Sequence, residues 1–278
     1  MSDLREEATQ LVRSLRAYVE WQVETGASGV PRMARREGPL AGAPAGGQES
    51  ELAATFALPN FDEPAVAAIA KSDAPRVVAV RQDRHVRLPQ IAAEVAACTK
   101  CGLAATRNKT VFARGNPDAA LVFVGEAPGA DEDASGLPFV GKAGQLLDKM
   151  IQAMGLNPER DVYICNIVKC RPPENRRPTP EEMSSCFPFV NEQIDLVSPK
   201  VIVAMGNSAV AAMLDTKLGI TRLRGQWKLY RGRIPMMPTY HPSYLLRPGP
   251  QQLESKRQAW EDLQAVMKEL GLERPPKV

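Results

Sequence analysis

The sequence predicts an α/β protein with a central, mostly parallel four-stranded sheet flanked by helices, preceded by a largely unstructured N-terminal extension. Three observations predict it. The runs LVFVG (121–125), VYICNIV (162–168) and VIVAM (201–205) are continuously apolar, as strands buried on both faces are. Amphipathic stretches of helical period separate them. From about residue 27 to 86, no sustained period holds.

In chain order, residues 1–26 come first: Leu4, Ala8, Leu11, Leu15, Tyr18 and Val19 recur at three and four, and Gly26 stops the pattern, which reads as an amphipathic helix. Residues 27–87 read as a flexible linker, rich in Gly, Pro and Ala over 37–50 (EGPLAGAPAGGQES). The folded domain is expected over 88–278, opening on a short helix through Ile91 and Val95. Strand 121–125, helix 144–156 and strand 162–168 follow. Thr179-Pro180-Glu181-Glu182 is a capping box with Pro at the first helical position, opening a helix to about residue 196. Strand 201–205, a helix over 208–214 and a fourth strand near 234–237 come next. A final helix, about 252–270, carries the stripe Leu253, Trp260, Leu263, Val266, Met267 and Leu270. In open α/β sheets the ligand site lies outside the carboxyl ends of the strands. The informative loops are therefore 125–129 (GEAPG), the Asn166 region, Gly206-Asn207-Ser208 and His241-Pro242-Ser243.

A hydrophobic share of 44% over 278 residues is enough for a core and excludes a wholly disordered or collagen-like chain. No apolar run is long enough for a membrane span, and Asp3, Glu6 and Glu7 stand where a secretory leader carries positive charge, so a soluble, cytoplasmic protein is expected. Residues 1–90 hold 11 basic and 12 acidic residues, whereas 221–257 holds eight basic residues (Arg222, Arg224, Lys228, Arg231, Arg233, Arg247, Lys256 and Arg257) against Glu254 alone. That local excess is the electrostatic footprint of a phosphate-backbone partner or, equally, a solvated face.

With only two histidines, His85 and His241, a His-Glu-x-x-His zinc site is excluded. Five cysteines in a cytoplasmic chain favour metal ligation or free thiols over disulfides. Cys98-Thr99-Lys100-Cys101 is a C-x-x-C pair, and Cys170 and Cys186 supply a wider one. Four thiolates suit tetrahedral zinc or an iron–sulfur cluster; a redox pair or scattered buried thiols are the alternatives. Cys165 reads as a core thiol in its strand, although spacing alone would let it exchange with Cys170. The 125–129 loop is neither a P-loop nor G-x-G-x-x-G, which lowers the nucleotide-hydrolase and dehydrogenase readings. Glu126, Asp131, Glu132 and Asp133 crowd one loop that could hold a water or a metal, or be merely solvated. Phe139 is a stacking platform or core. Asn166, an Asn in an apolar strand, needs hydrogen-bond partners and offers the donor and acceptor that read an imide edge. His241, before Pro242 in a loop, favours function over packing.

Together, Cys98-x-x-Cys101, Gly125-Glu-Ala-Pro-Gly129, Gly136-Leu-Pro-Phe-Val-Gly-Lys-Ala-Gly144, Asn166-Ile-Val-Lys-Cys-Arg-Pro-Pro173, Cys186 and His241-Pro-Ser-Tyr-Leu-Leu-Arg247 resemble the iron–sulfur, family 4 uracil-DNA glycosylases, in order over about 88–270. The resemblance implies a uracil-DNA glycosylase-like fold and a monofunctional hydrolase that flips uracil from DNA and cuts its N-glycosidic bond, leaving an abasic site. It implies a structural [4Fe–4S] cluster on Cys98, Cys101, Cys170 and Cys186, leaving Cys165 free. It makes Glu126, Ala127, Glu132, Phe139, Asn166 and His241 the uracil pocket: Phe139 stacks, Asn166 reads O4 and N3, and His241 donates to O2. An Asp of better-known relatives is Ala127 here, so Glu126, with Glu132 behind it, inherits the water or the cation. Leu245 or Leu246 resembles the wedge that fills the vacated stack, and Ser243 and Arg247 the backbone grip. Arg171, Arg176 and Arg177 stand ready for phosphates.

The partner expected is uracil-containing DNA, with no membrane, a monomeric catalytic domain and a protein partner open to the N-terminal helix. The competing reading is a non-catalytic iron–sulfur DNA-binding or polymerase-associated module. A relative trapped covalently on its product ranks third, because the basic insertion it requires before His241 is absent from the short 231–240 segment.

Overall fold

The computed structural model describes residues 73–273, with side chains from Arg84 onward. The expected N-terminal helix, its partner and most of the linker lie outside the described residues. The first described element is helix α1, Asp73–Ala96. The boundary expected at 87/88 therefore falls inside a helix. The helix starts in a stretch that carries no sustained apolar period, and it runs through Pro89, which removes one hydrogen bond from its ladder. Arg84, buried in the middle of α1, donates through Nη1 to the Pro117 carbonyl (3.2 Å) and to Asp118 (3.1 Å), which ties the helix to the domain.

Among the described residues the sheet has six strands: β1 (Arg114–Gly115), β2 (Leu121–Gly125), β3 (Val162–Asn166), β4 (Val201–Met205), β5 (Lys228–Tyr230) and β6 (Ile234–Thr239). Their spatial order is β1-β3-β2-β4-β6-β5. The four expected strands form the parallel centre, β3-β2-β4-β6, and two short antiparallel strands edge it. Those edges are two and three residues long, too short to show a period.

Six more helices follow α1 along the sheet: α2 (Ala130–Ser135), α3 (Lys142–Ala153), α4 (Pro180–Val197), α5 (Gly206–Leu214), α6 (Ile220–Leu223) and α7 (Pro242–Leu245); α8 (Gln252–Glu269) closes the domain. Thr179 caps α4 as expected, its hydroxyl accepting from the Glu182 N–H while Glu182 accepts from the Thr179 N–H. Alternation along each strand makes two core layers. Val122, Val124, Tyr163, Cys165, Ile202 and Ala204 pack on α1, α4 and α5. Leu121, Phe123, Ile164, Val203 and Met205 pack on α3 and α8. From the expected α8 stripe, Leu263, Val266 and Met267 are buried, but Leu253 is 81% exposed because it lies in the first turn, before the helix meets the sheet. Among the described residues no helix is long and apolar enough to cross a membrane.

Register sets the site. Gly125 pairs with Asn166 and Met205 with Thr239, so all four parallel strands end on one rim. The chain goes from β2 to β3 on one side and returns to β4 on the other, so the order reverses between β2 and β4. That reversal opens a crevice at the carboxyl ends of these two strands.

Candidate active site

A cleft of about 710 Å³ opens on that rim, a volume that suits a small ligand or an extruded base. Glu126, Ala127, Glu132, Phe139, Asn166, His241, Ser243 and Arg247 all line it. The expected pocket residues are thus brought together from four separate segments of the chain, 126–132, Phe139, Asn166 and 241–247.

Asn166 ends β3 and is 1% exposed, yet its side-chain Oδ1 has no partner among the described residues. A buried amide oxygen without a hydrogen bond costs about 1–3 kcal/mol, so this group stands ready for a ligand. Its main chain is fixed from behind. Lys169 Nζ donates to the Asn166 carbonyl (2.9 Å) and to the Phe112 carbonyl (3.2 Å).

Phe139 has φ +57°, rare for a bulky side chain, so its neighbours hold it there. Arg114 Nε donates to the Pro138 carbonyl (2.9 Å) and Nη2 to the Phe139 carbonyl (3.3 Å), while Asp148 and Glu159 anchor the guanidinium. Glu132 holds the following residues, its Oε1 accepting from Val140 N and Gly141 N (each 2.9 Å), and its Oε2 from Gly129 N (3.0 Å). Glu132 therefore clamps two loops of the pocket together, with both carboxylate oxygens already engaged. Asp133 is likewise consumed, accepting from the backbone N–H groups of Asn108 and Lys109 and from the Asn108 side-chain amide. The Phe139 ring lies 5.7 Å from the His241 ring, centre to centre. Gly125 is needed beneath it: a Cβ there would fall 2.4 Å from both Phe139 Cζ and Asn166 Oδ1. At Gly144 a Cβ would meet the Phe139 carbonyl oxygen at 1.8 Å.

His241 caps α7. Its Nδ1 accepts from the Ser243 backbone N–H (3.2 Å) and lies 2.8 Å from Ser243 Oγ. Since a backbone N–H can only donate, the neutral ring carries its proton on Nε2. Burial, aided by the charge of Arg247, pushes the His241 pKa down from 6.5 to about 4. The group is a neutral N–H donor at physiological pH.

Glu126 follows β2, and its carbonyl accepts from Val168 N (3.0 Å). Its carboxylate Oε2 accepts from the hydroxyl of Ser208, at the start of α5. The structure adds Ser208 and Arg114 as residues that shape the site. Ser208 sat in a loop the topology rule had picked out, whereas nothing local in the sequence marks Arg114.

The expected DNA grip divides. Leu245 is 2% exposed and packed in the core, not on the surface where the expected wedge would lie. Helical geometry turns consecutive side chains apart, and Leu246 (40% exposed) and Tyr244 (38%) face out instead. Leu245→Ala should lower stability by about 2–5 kcal/mol in denaturant unfolding with little effect on the rate per folded molecule. Leu246→Ala should leave the unfolding midpoint in place and slow excision from duplex more than from single strands. The reverse pattern would restore Leu245 as the wedge. The basic segment is also partly spent. Arg224 pairs with Asp262, Arg231 and Arg233 with Asp195, and Arg257 with Glu254.

Cys98, Cys101, Cys170 and Cys186 line a second hollow, with Val95, Ala104, Val168 and Phe189 around them. Cys165 is not part of it and lies buried in β3. Burial pushes the Cys170 thiol up, and the Cys186 thiol up to about 11. Arg107 Nη1 donates to Cys170 Sγ and Lys169 N to Cys186 Sγ, each at 3.3 Å. Among the described residues no three Cys, His, Asp or Glu side chains are close enough to hold a single metal ion. Four thiols around one hollow, two of them accepting N–H hydrogen bonds, are the donor set that tetrahedral zinc or an iron–sulfur cluster takes.

The family model for the uracil DNA glycosylase superfamily matches residues 112–264. The chain is 48% identical to a type-4 uracil-DNA glycosylase of Thermotoga maritima over 158 residues, 56% of this chain and 82% of that protein. It is 45% identical to one of Sulfurisphaera tokodaii over 168 residues, 57% and 76% of the two chains. A third, of Archaeoglobus fulgidus, is 42% identical over 168 residues, 57% and 83% of the two.

Proposed function

Because the chain belongs to the type-4 uracil-DNA glycosylases of the uracil DNA glycosylase superfamily, we propose that its cleft takes up a uracil flipped out of DNA and that Asn166, Phe139, His241 and Glu126 carry the excision. The enzyme hydrolyses the N-glycosidic bond of uracil in DNA. The observation that carries the site reading is the buried, unpartnered Asn166 amide facing a neutral histidine across one cleft.

Uracil in a stack is out of reach, so the nucleotide must be extruded, and the contacts made to the base offset the lost stacking. Phe139 offers the ring face. The Asn166 amide matches O4, an acceptor, and N3–H, a donor; cytosine presents the opposite pattern and leaves both sides without partners. As the C1′–N1 bond breaks, its electron pair goes to the base and negative charge gathers on O2. The Nε2–H of His241 donates there without giving up its proton. Positive charge builds on the sugar, and Glu126, whose Oε1 makes no hydrogen bond among the described residues, faces it or the incoming water. Water oxygen bonds to C1′, and its proton leaves toward Glu126 or the departing uracil anion. An oxocarbenium is electrophilic enough that full prior deprotonation is unnecessary.

The cysteine hollow takes a [4Fe–4S] cluster on Cys98, Cys101, Cys170 and Cys186 in this reading. The group would supply covalent ties between the end of α1, the exit of β3 and α4. It has no part in cleavage. Purified protein should be brown and should release free uracil from a labelled uracil-containing oligonucleotide, leaving an abasic site. Brown protein that binds this DNA and releases nothing would favour the non-catalytic module instead. Colourless protein with full activity would overturn the cluster assignment and leave the excision reading standing.

A further inference from the structure

Three side chains form a chain of hydrogen bonds from the surface to the carboxylate in the cleft. Arg177, exposed on the loop before α4, donates through Nε to Ser208 Oγ (3.1 Å). Ser208, 3% exposed, donates in turn to Glu126 Oε2. The polarity is forced: a guanidinium can only donate, so the lone proton of Ser208 points to Glu126. Arg177 makes no ion pair among the described residues, and both of its Nη groups are without a hydrogen bond there. Two donor groups of an arginine left open at the mouth of a cleft for a polyanion match a phosphate.

We propose that Arg177 and Ser208 are positioning residues that couple a backbone phosphate of the bound strand to the Glu126 carboxylate. The phosphate docks on the Nη face of Arg177 and so fixes the direction of its Nε–H. The Ser208 hydroxyl is then locked onto Glu126, leaving Oε1 as the oxygen that faces the sugar. In this scheme the seated strand reinforces a hydrogen-bond chain that already runs from Arg177 to Glu126, so excision is fastest when a phosphate holds the arginine in place. The inference rests on the role of Glu126 proposed above, and it names the arginine and serine as what sets that role.

The test uses the whole chain with its cysteine centre loaded. Ser208→Ala should slow single-turnover uracil release about tenfold, the loss of one hydrogen bond to a charged group, with DNA affinity unchanged. Ser208→Thr, which keeps the hydroxyl, should recover most of the rate; a purely structural defect would not be rescued this way. Arg177→Ala should slow release by a similar factor, and the double variant should be no slower than the worse single one. Substrates carrying a neutral methylphosphonate at one phosphate at a time supply the second readout. At one position the neutral linkage should slow the native enzyme as Arg177→Ala does, and should have no further effect in either variant. Multiplying losses in the double variant, or Ser208→Ala at native speed, would overturn the coupling. Native protein that releases no uracil would instead overturn the excision reading beneath it.

Discussion

Asn166→Asp should abolish uracil release, by at least about 10³-fold in single-turnover assays, with the brown colour and unfolding midpoint kept. The carboxylate has nearly the size of the amide but only accepts, so it can take N3–H while repelling O4. Its charge is also expensive at a position 1% exposed, where the described residues offer Oδ1 no donor. Neighbouring geometry gives no escape, since the Gly125 backbone lies against Asn166 Oδ1 and Lys169 holds the main chain in register. Asn166→Ala should also fail, but less severely, because it removes the match without adding repulsion. Release by the Asp variant within tenfold of native would mean that the base edge is read elsewhere in the cleft.

The central architecture was legible because its signals are local. Leu121–Gly125 and Val201–Met205 are runs of apolar residues bounded by turns, and the Thr179 capping box marks the start of α4 to the residue. The loops around the cleft were legible as a consequence: the topology rule points to the strand ends, where Glu126, Asn166 and His241 line the cleft and Ser208 bonds Glu126. What could not be read is what depends on distant contacts. Arg114 is one arginine in a two-residue edge strand, and its role comes from the carbonyls of Pro138 and Phe139, more than twenty positions away. Glu132 looked like one more acid beside Glu126, yet three backbone N–H groups from two segments consume it. Leu245 and Leu246 have the same side chain in adjacent positions. Which of them meets the core is decided by the pitch of a one-turn helix against α3 and α8, a tertiary fact. The early part of α1 was missed because residues up to about 86 show no sustained period, and the packing of α1 on α4 is a tertiary contact that no local pattern signals.

His241→Ala should lower excision about 10²- to 10³-fold, the usual cost of one donor to a developing oxyanion, while DNA binding stays near native. More telling is the protonation state. A His241 pKa held near 4 means that the donor is the neutral ring, so the free-enzyme kcat/KM should run flat through pH 6.5, where an ordinary histidine would bend it. The same depression has a sign for stability. Between 6.5 and about 4 the unfolded chain takes up a proton that the folded chain refuses, so folding weakens as pH falls through that window; the contribution above 6.5 is about 3 kcal/mol. Below about 4 the folded ring must also charge, and Nδ1 would then present a proton to the Ser243 N–H, breaking the cap. Nitrogen-15 histidine spectra separate these effects, because the chain has only His85 and His241, and the His241→Ala variant identifies which signals belong to the site. The expected spectrum shows His241 protonated on Nε2 and unchanged from pH 8 to 5. Arg247→Gln should raise its titration point, since Arg247 contributes to holding it down. A midpoint near 6.5, or a proton on Nδ1, would mean that excision relies on a charged imidazolium, and the leaving-group role would have to be rebuilt around proton transfer.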